Sequence, residues 1–294
     1  MRFATIDLNG AECAGIFRKE QNEFYSFEDL LDEKLSMLDF INQYENKGLP
    51  DFQTIIEKNN LRPTYSGKPA FKSPIPIPLR DVICLGKNYA DHAKEIAALT
   101  DSNDDYVPKK PVYFLKRAYP SVGDGAQIPI PANISEKIDY EVELAVVIGK
   151  TTRNIDESEV ENAIFGYTIL NDVTARDIQT SYGQWFFGKS LDNFCPMGPI
   201  IVSKDVIPFP VKLNLSCRVN GETRQNANTS IMIFNIPRII SELSQGITLY
   251  PGDIIATGTP AGVGVGMQPQ QFLQKGDKVE CEIEKVGILT NTFV

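Results

Sequence analysis

Acidic side chains cluster in one short segment, KIDYEVELAVVIGK (137–150). Residues two apart in a β-strand share a face, so Asp139, Glu141 and Glu143 are expected on the same side. The residues after Glu143 are apolar on both faces, which is typical of a strand buried on both sides. Carboxylates at the mouth of such a strand are costly unless they pair with cations or bind a metal. An edge strand with both glutamates in water is the alternative.

Asp172 is the best candidate for a third carboxylate in the same site. It follows the apolar run FGYTILN (165–171), where a strand gives way to a polar segment. Three carboxylates without a thiolate or an imidazole favour Mg²⁺, Mn²⁺ or Ca²⁺ over zinc. Three protein ligands also leave coordination positions for water or a bidentate substrate. Spacing alone also allows a calcium site of structural purpose.

The sequence contains one histidine, His92, in the segment GKNYADHAKEI. On a helix, Glu95 lies three residues further on the same face. A carboxylate beside an imidazole orients the ring and raises its basicity, so the pair is a candidate general base for activating water. A surface histidine with a casual acidic neighbour is the alternative.

The first part of the chain, residues 1–72, reads as a small N-terminal α/β domain. Strand-like segments at Phe3–Leu8 and Gly15–Arg18 precede one helical stretch, Ser26–Tyr44, in which Ser26 and Asp29 form a capping pair. A second short helix is predicted over Asp51–Asn59. Alternate prolines in SPIPIPLR (73–80) exclude a helix and predict an extended linker.

Residues 81–294 form a second, strand-rich domain in this interpretation. Short β-favouring runs separated by Gly, Pro, Asn and Asp predict strands at Val82–Leu85, Val112–Leu115, Tyr140–Ile148, Phe165–Leu170, Leu213–Val219, Asp253–Thr257 and Lys278–Ile283. Helices are expected at Asp91–Leu99, Glu157–Ala163 and Ser230–Ser244, the last with a kink or restart at Pro237. The fold class is α+β, mainly β, with peripheral helices.

The composition of the chain argues against some classes of binding partner and indicates its cellular compartment. A net charge of -9 argues against nucleic acid and anionic membranes, which attract clustered Lys and Arg. The longest apolar run, Leu144–Ile148, is too short to span a bilayer, and the N-terminal residues do not resemble a secretory signal. Five scattered cysteines without a C-x-x-C pair indicate reduced thiols in a cytoplasmic protein.

Several segments together resemble the fumarylacetoacetate hydrolase (FAH) family, whose bacterial members include some with a small leading domain. The matching segments are LGKNYADHAKE (85–95), PVYFLK (111–116), DYEVELAVVIGK (139–150), GYTILNDVTARDIQ (166–179), GKSLDNFCPMGP (188–199), VNGETRQ (219–225) and LYPGDIIATGTPAGVG (249–264). The resemblance implies an FAH-type mixed β-roll, usually a homodimer. It also implies a Mg²⁺ or Mn²⁺ ion, with Ca²⁺ as a possible substitute, on Glu141, Glu143 and Asp172.

The resemblance further implies roles for residues around the metal. His92 and Glu95 would form the water-activating pair, on a segment that orders as a lid when substrate binds. Lys189 of the GKS motif would contact the substrate's oxygen atoms. The remaining pocket residues implied are Arg176, Gln179 and Thr259. For Arg176 a structural salt bridge is the alternative.

The function implied is metal-dependent cleavage of a C–C bond in a small 2-oxo acid, through a pyruvate enolate whose charge the cation stabilises. Hydrolysis of an acylpyruvate (a 2,4-diketo acid) is the leading expectation, and oxaloacetate decarboxylation is the alternative. A hydroxymuconate-type isomerase or decarboxylase and a non-catalytic binding protein are further alternatives. The stretch Thr100–Lys110 is expected to help select the acyl group.

Two other motifs resemble sites with a different chemistry, a nucleotide-binding loop and a cysteine nucleophile. The glycine-rich ATGTPAGVGVG (256–266) lacks both the GK[ST] ending of a P-loop and the G-x-G-x-x-G fingerprint, so we interpret it as a turn close to the substrate. Cys195 has no flanking base and does not begin a helix, which disfavours a thiolate nucleophile.

Overall fold

The computed structural model describes residues 1–98 and 107–294. Its strands are β1 (Arg2–Leu8), β2 (Ala11–Arg18), β3 (Glu23–Ser26), β4 (Tyr65–Ser66), β5 (Val82–Gly86), β6 (Val112–Lys116), β7 (Gln127–Ile128), β8 (Ile138–Asp139), β9 (Val142–Ile148), β10 (Ile164–Asn171), β11 (Thr174–Ala175), β12 (Met197–Ser203), β13 (Asn214–Val219), β14 (Glu222–Asn228), β15 (Ile254–Ala256), β16 (Lys278–Ile283) and β17 (Gly287–Phe293). Its α-helices are α1 (Phe27–Leu31), α2 (Met37–Gln43), α3 (Phe52–Lys58), α4 (Ala90–Ala97), α5 (Val160–Ala163), α6 (Arg176–Ser181), α7 (Phe186–Lys189) and α8 (Ile236–Gly246).

Most strands belong to two sheets. The larger has the order β4-β3-β2-β1-β12-β10-β9-β15-β5-β6, and the smaller has the order β14-β13-β16-β17-β7. Strand β9 is buried along its whole length, as its apolar faces predict. The α+β, mainly β fold class with helices outside the sheets is confirmed.

The pairing of β9 with β10 brings the acidic residues together. The strands are antiparallel, with Glu143 opposite Leu170 and Asn171 opposite Val142. The start of β9 therefore lies beside the end of β10, where Asp172 follows. The backbone N–H of Asp172 donates to the carbonyl of Glu141 at 2.9 Å.

The first 72 residues are joined to the rest by a shared sheet and a shared core. Strand β1 pairs with β12, with Phe3 opposite Ile201. The ring of Phe3 lies 4.9 Å from that of Phe165 on β10, and Phe27 stacks on Phe40 at 4.1 Å. The division into 1–72, a linker at 73–80 and 81–294 stays a prediction.

Two predicted helices differ from the structure. The stretch Ser26–Tyr44 is not one helix, because Asp32 adopts a left-handed conformation (φ 58°) that ends α1, and Ser36 caps a new helix. The Ser26–Asp29 cap itself is confirmed. Helix α8 begins at Ile236 rather than at residue 230, and Pro237 lies in its first turn, where a missing N–H costs nothing and no kink results.

The predicted helix over Asp91–Leu99 corresponds to α4, and Leu99 lies outside the described residues. No helix within the described ranges is long and apolar enough to cross a membrane.

Candidate metal centre and catalytic pocket

Three carboxylates meet where β9 begins and β10 ends. Glu143 lies on β9, Glu141 just precedes it, and Asp172 directly follows β10. One oxygen from each lies within 4.8 Å of the others. Their relative exposures are 4% for Glu141, 1% for Glu143 and 0% for Asp172, so water cannot stabilise their charges. The alternative of an edge strand with both glutamates in water is excluded.

Cationic side chains compensate two of these carboxylates. The ammonium of Lys189 donates to Glu141 Oε2 and to Asp172 Oδ2, both at 2.7 Å. Arg176 Nη2 lies 2.7 Å from Glu141 Oε1, and Lys116 Nζ lies 2.8 Å from Asp172 Oδ1. For Glu143 the partner is a neutral group, the backbone N–H of Gly258 at 2.8 Å.

The different surroundings of Glu141 and Glu143 shift their pKa values in opposite directions. Burial alone raises the pKa of Glu141, but the charges of Lys189 and Arg176 outweigh it and lower the pKa to about 2. Burial, reinforced by the charges of Asp172 and Glu141, raises the pKa of Glu143 well above its ordinary value. The metal-free site therefore favours one ionised and one protonated glutamate.

The donor set fits a hard divalent cation. It consists of carboxylate oxygens, the ligands that Mg²⁺ and Mn²⁺ prefer. Among the described residues Glu143 forms no salt bridge with a cationic side chain, and a metal ion would supply positive charge beside it. Glu141, Glu143 and Asp172 are thus the residues that would hold the ion.

His92 and Glu95 lie on helix α4 beside this centre. His92 Nδ1 lies 3.2 Å from Glu95 Oε2, and the backbone N–H of Gly262 donates to Glu95 Oε1 at 3.1 Å. His92 is only 5% exposed, which rules out the alternative of a surface histidine. A hydrogen bond from Nδ1 to the carboxylate leaves Nε2 as the proton acceptor of the ring.

One cavity of about 350 Å³ unites most of the predicted site residues. Those that line it are His92, Glu141, Glu143, Arg176, Gln179, Lys189 and Thr259. Asp172 and Glu95 lie behind the lining and contact it through Lys189 and His92. The volume suits a small metabolite. The structure thus brings the predicted residues together, while their individual roles stay predictions.

Arg176 and Thr259 are partly engaged within the protein. Arg176 Nε donates to Asp139 Oδ2 at 2.8 Å, and its Nη1 donates to Gln179 Oε1 at 3.2 Å. The salt-bridge alternative for Arg176 is therefore real, although the side chain also lines the cavity. The Thr259 hydroxyl donates to the Val142 carbonyl at 3.0 Å, so a contact with substrate would rest on its backbone N–H.

Three buried polar residues at the site were missed by the sequence analysis. Lys116 ends β6 inside the centre, and its position in an apolar strand was an available signal. Asp139 accepts from the N–H groups of Gly264 and Val265 as well as from Arg176, so it fixes the glycine-rich turn. The Gln225 side chain accepts a hydrogen bond from the backbone N–H of Val142 on β9 and donates one to the Thr259 hydroxyl. Nothing in the polar sequence around Gln225 predicts this role.

Cys195 and the glycine-rich segment have the properties that the sequence predicts. Burial raises the pKa of Cys195 to about 12, so its thiol is not a nucleophile at neutral pH. The glycine-rich segment is a turn over the site, with Gly262 bonded to Glu95, as expected. Most of the stretch Thr100–Lys110 lies outside the described residues.

The model of the fumarylacetoacetate (FAA) hydrolase C-terminal family matches residues 81–294. The chain belongs to the fumarylacetoacetate hydrolase family. It is accordingly an enzyme of this metal-dependent hydrolase and lyase family, as the sequence predicted.

Relatives and solved structures extend this assignment. Oxaloacetate tautomerase YisK of Bacillus subtilis is 48% identical over 219 residues, which are 74% of this chain and 71% of the relative. The structure of a fumarylacetoacetate hydrolase from Exiguobacterium antarcticum aligns with 100% of this chain and 99% of its own, at a TM-score of 0.85 and 38% identity. Maleylpyruvate hydrolase from Sphingobium sp. SYK-6, solved with manganese(II) and pyruvate, aligns over 100% and 99%, at a TM-score of 0.76 and 29% identity.

Proposed function

We propose that this enzyme interconverts the keto and enol forms of oxaloacetate with the help of a bound Mg²⁺ or Mn²⁺ ion. The observation that carries the choice of substrate is the 48% identity to an oxaloacetate tautomerase, against 29% to a maleylpyruvate hydrolase. This supports oxaloacetate, the substrate of the decarboxylation alternative, better than the leading expectation of acylpyruvate hydrolysis, although tautomerisation itself was not predicted from the sequence.

The geometry suits proton transfer next to a 2-oxo group. A divalent ion on the three carboxylates supplies positive charge that favours enolisation of a 2-oxo acid. His92 Nε2 would take a proton from C3 of the keto form and pass it to the C2 oxygen, with the same steps reversed for the enol form, while Glu95 holds the ring. Lys189 and Arg176, which line the same cavity, would add positive charge beside the substrate's oxygens. The reaction is redox-neutral, and its net change is the movement of one proton from C3 to the C2 oxygen.

The direct test follows the ultraviolet absorbance of enol oxaloacetate in metal-loaded protein, with pyruvate and CO₂ measured in parallel. Loss of the enol signal faster than in the protein-free control, without pyruvate, supports tautomerisation. His92→Asn should lower the rate about 10²- to 10⁴-fold while leaving Mn²⁺ affinity unchanged. Equal rates with and without wild-type protein would overturn the proposal.

Decarboxylation of the same acid is the second candidate, because the enolate that it forms needs the same cationic surroundings. Stoichiometric pyruvate and CO₂ from oxaloacetate would favour it. Pyruvate and acetate from acetylpyruvate, with no effect on oxaloacetate, would restore the hydrolase expectation.

We further propose that the enzyme is a cytoplasmic homodimer, as the resemblance and the composition predict. The five cysteines are free thiols, which suits a reducing compartment. Light scattering coupled to size-exclusion chromatography tests the assembly, and a mass of one chain would refute the dimer.

A further inference from the structure

Lys87 stands out in the cavity wall because of its backbone conformation. Among the described residues other than glycine, nine have positive φ angles, and seven of these are Asn or Asp, which tolerate the left-handed region. The other two are Lys87 (φ 56°) and Lys285 (φ 66°). A lysine in this conformation costs free energy that Asn or Gly at the same position would avoid.

The fold imposes this conformation on Lys87 from both sides. The preceding strand β5 is held between β15 and β6. The following residue, Asn88, is fully buried, and its amide donates to the carbonyls of Phe234 at 3.0 Å and Thr257 at 2.8 Å. Gly86 packs so closely on Trp185 that an added Cβ would lie 2.4 Å from the indole ring. The backbone therefore fixes the position from which the Lys87 side chain extends.

Lys87 also differs from Lys189 and Arg176 in having no acidic partner among the residues that the structure describes. Lys189 and Arg176 are committed to Glu141, Asp172 and Asp139. The partly buried Lys87 makes no salt bridge with any residue that the structure describes. Lys137 at the rim is exposed and lies over the ring of Phe272 at 5.9 Å. The wall thus contains a cation whose charge nothing in the described protein compensates.

A dicarboxylic 2-oxo acid needs such a group. Its 2-oxo acid end is suited to the metal centre, and its second carboxylate must enter a cavity of about 350 Å³ that already contains several negative charges. Burying that carboxylate without a counter-cation is unfavourable. Lys87, fixed by its backbone in the same wall and without an acidic partner in the described part of the chain, supplies the missing charge through a charge-assisted hydrogen bond.

We propose that Lys87 determines specificity for dicarboxylic 2-oxo acids by binding the carboxylate remote from the 2-oxo group. This inference rests on the proposed function, in which the substrate is the dicarboxylate oxaloacetate. Lys87 acts on substrate binding and not on proton transfer, so its removal raises KM more than it lowers kcat.

The test compares two ligands on the Mg²⁺-loaded enzyme, oxaloacetate and 2-oxobutanoate, which lacks the remote carboxylate. Lys87→Met should raise the KM and the calorimetric Kd for oxaloacetate about 10- to 100-fold, and leave the Ki and Kd of 2-oxobutanoate unchanged. Lys87→Arg should restore most of the affinity. Equal weakening of both ligands, or of neither, would overturn the proposal.

Lys285 provides a matched control, because it is exposed in the turn between β16 and β17 with the same backbone conformation. Lys87→Asn and Lys285→Asn should both raise Tm by about 1–3 °C through relief of strain. Only Lys87→Asn should weaken oxaloacetate binding. Weaker binding in both variants would contradict a local role for Lys87.

The binding measurement separates this inference from the proposed function. If the wild type does not accelerate tautomerisation but binds oxaloacetate in a Lys87-dependent way, the function fails and the inference stands. If the wild type is active and Lys87→Met is unchanged, the function stands and the inference fails.

Discussion

Glu141 and Glu143 are two residues apart, yet their environments move their pKa values in opposite directions. Lys189 and Arg176 contact Glu141, whereas Glu143 faces other carboxylates and a backbone N–H. The raised pKa of Glu143 makes it the residue whose proton must leave when a metal binds.

We expect metal affinity to fall as the pH is lowered through the raised pKa of Glu143, because a protonated carboxyl is a poor ligand. Mn²⁺ binding should release a proton at pH values below the raised pKa of Glu143. Isothermal calorimetry in two buffers with different ionisation enthalpies measures this release. Glu143→Gln should abolish it and weaken Mn²⁺ binding, and identical apparent enthalpies for the wild type would contradict the prediction.

The same group links stability to pH in the metal-free protein. Since the folded pKa of Glu143 lies above its ordinary value of 4.5, its contribution to stability is complete below about pH 4.5 and is lost as the pH rises through the folded pKa. The increase in Tm caused by Mg²⁺ should therefore grow with pH. A constant increase from pH 5 to 8 would show that Glu143 does not control it.

Lys116 is expected to hold Asp172 in place. Its fully buried ammonium contacts Asp172 Oδ1 and donates to the carbonyls of Val173 and Lys189. Lys116→Met should cost about 3–5 kcal/mol in urea unfolding of the metal-free protein, because it leaves a buried carboxylate short of a partner.

The matched control for Lys116→Met is the same substitution in a salt bridge at the protein surface. Lys278 is 52% exposed and lies 3.0 Å from Glu280, so Lys278→Met should change stability by less than about 1 kcal/mol. Similar losses for both variants would refute the special role of Lys116.

At the scale of elements, helix α4 and the glycine-rich turn form one contact. Glu95 accepts from Gly262, and a Cβ on Gly266 would lie 2.1 Å from the Glu95 carboxyl carbon. Only glycine therefore allows the turn to approach the His92–Glu95 pair so closely.

Gly266→Ala should move the Glu95 carboxylate away from His92 and lower kcat about 10²-fold, with Mn²⁺ affinity unchanged. Steady-state kinetics and metal titration measure the two effects. Gly246→Ala is the control, because a Cβ there meets nothing within 4 Å and should leave kcat unchanged. If Gly266→Ala retained full activity, the contact would not position Glu95.

Some elements with a strong hydrophobic pattern were predictable from the sequence, whereas the apolar strand β12 was missed. Strands β9 and β10 are apolar on both faces and were found with nearly correct ends. Strand β14 was missed because its sequence, ETRQNAN, is polar and has no hydrophobic alternation. Its hydrogen bonds to β13 hold it in the sheet instead. The break between α1 and α2 was missed because it depends on a left-handed Asp32.

At the scale of the whole molecule, the aromatic side chains of residues 1–72 pack on the main sheet. Phe3 contacts Phe165 across the predicted linker, and β1 continues the sheet through β12. Shared hydrogen bonds and a shared core couple the two parts energetically.

We therefore expect the metal-free protein to unfold in one transition, with calorimetric and van't Hoff enthalpies equal. Phe3→Ala should lower the stability of the entire chain by about 3–5 kcal/mol. Phe186→Ala, at a side chain 45% exposed, should have an effect within about 0.5 kcal/mol. Two separate transitions would instead support an independently folding N-terminal domain.

The sequence by itself predicted the three carboxylates proposed as metal ligands, the His92–Glu95 pair and the mainly β fold, because alternation, helical spacing and family motifs are local signals. Only the tertiary structure decided that Lys116, Asp139 and Gln225 complete the site. Lys116 and Gln225 reach it from strands distant in sequence, and Asp139 contributes through its contacts with Arg176 and the glycine-rich turn, which have no local pattern. The tertiary structure also set the opposite pKa values of Glu141 and Glu143, because burial and neighbouring charges exist only in the folded chain.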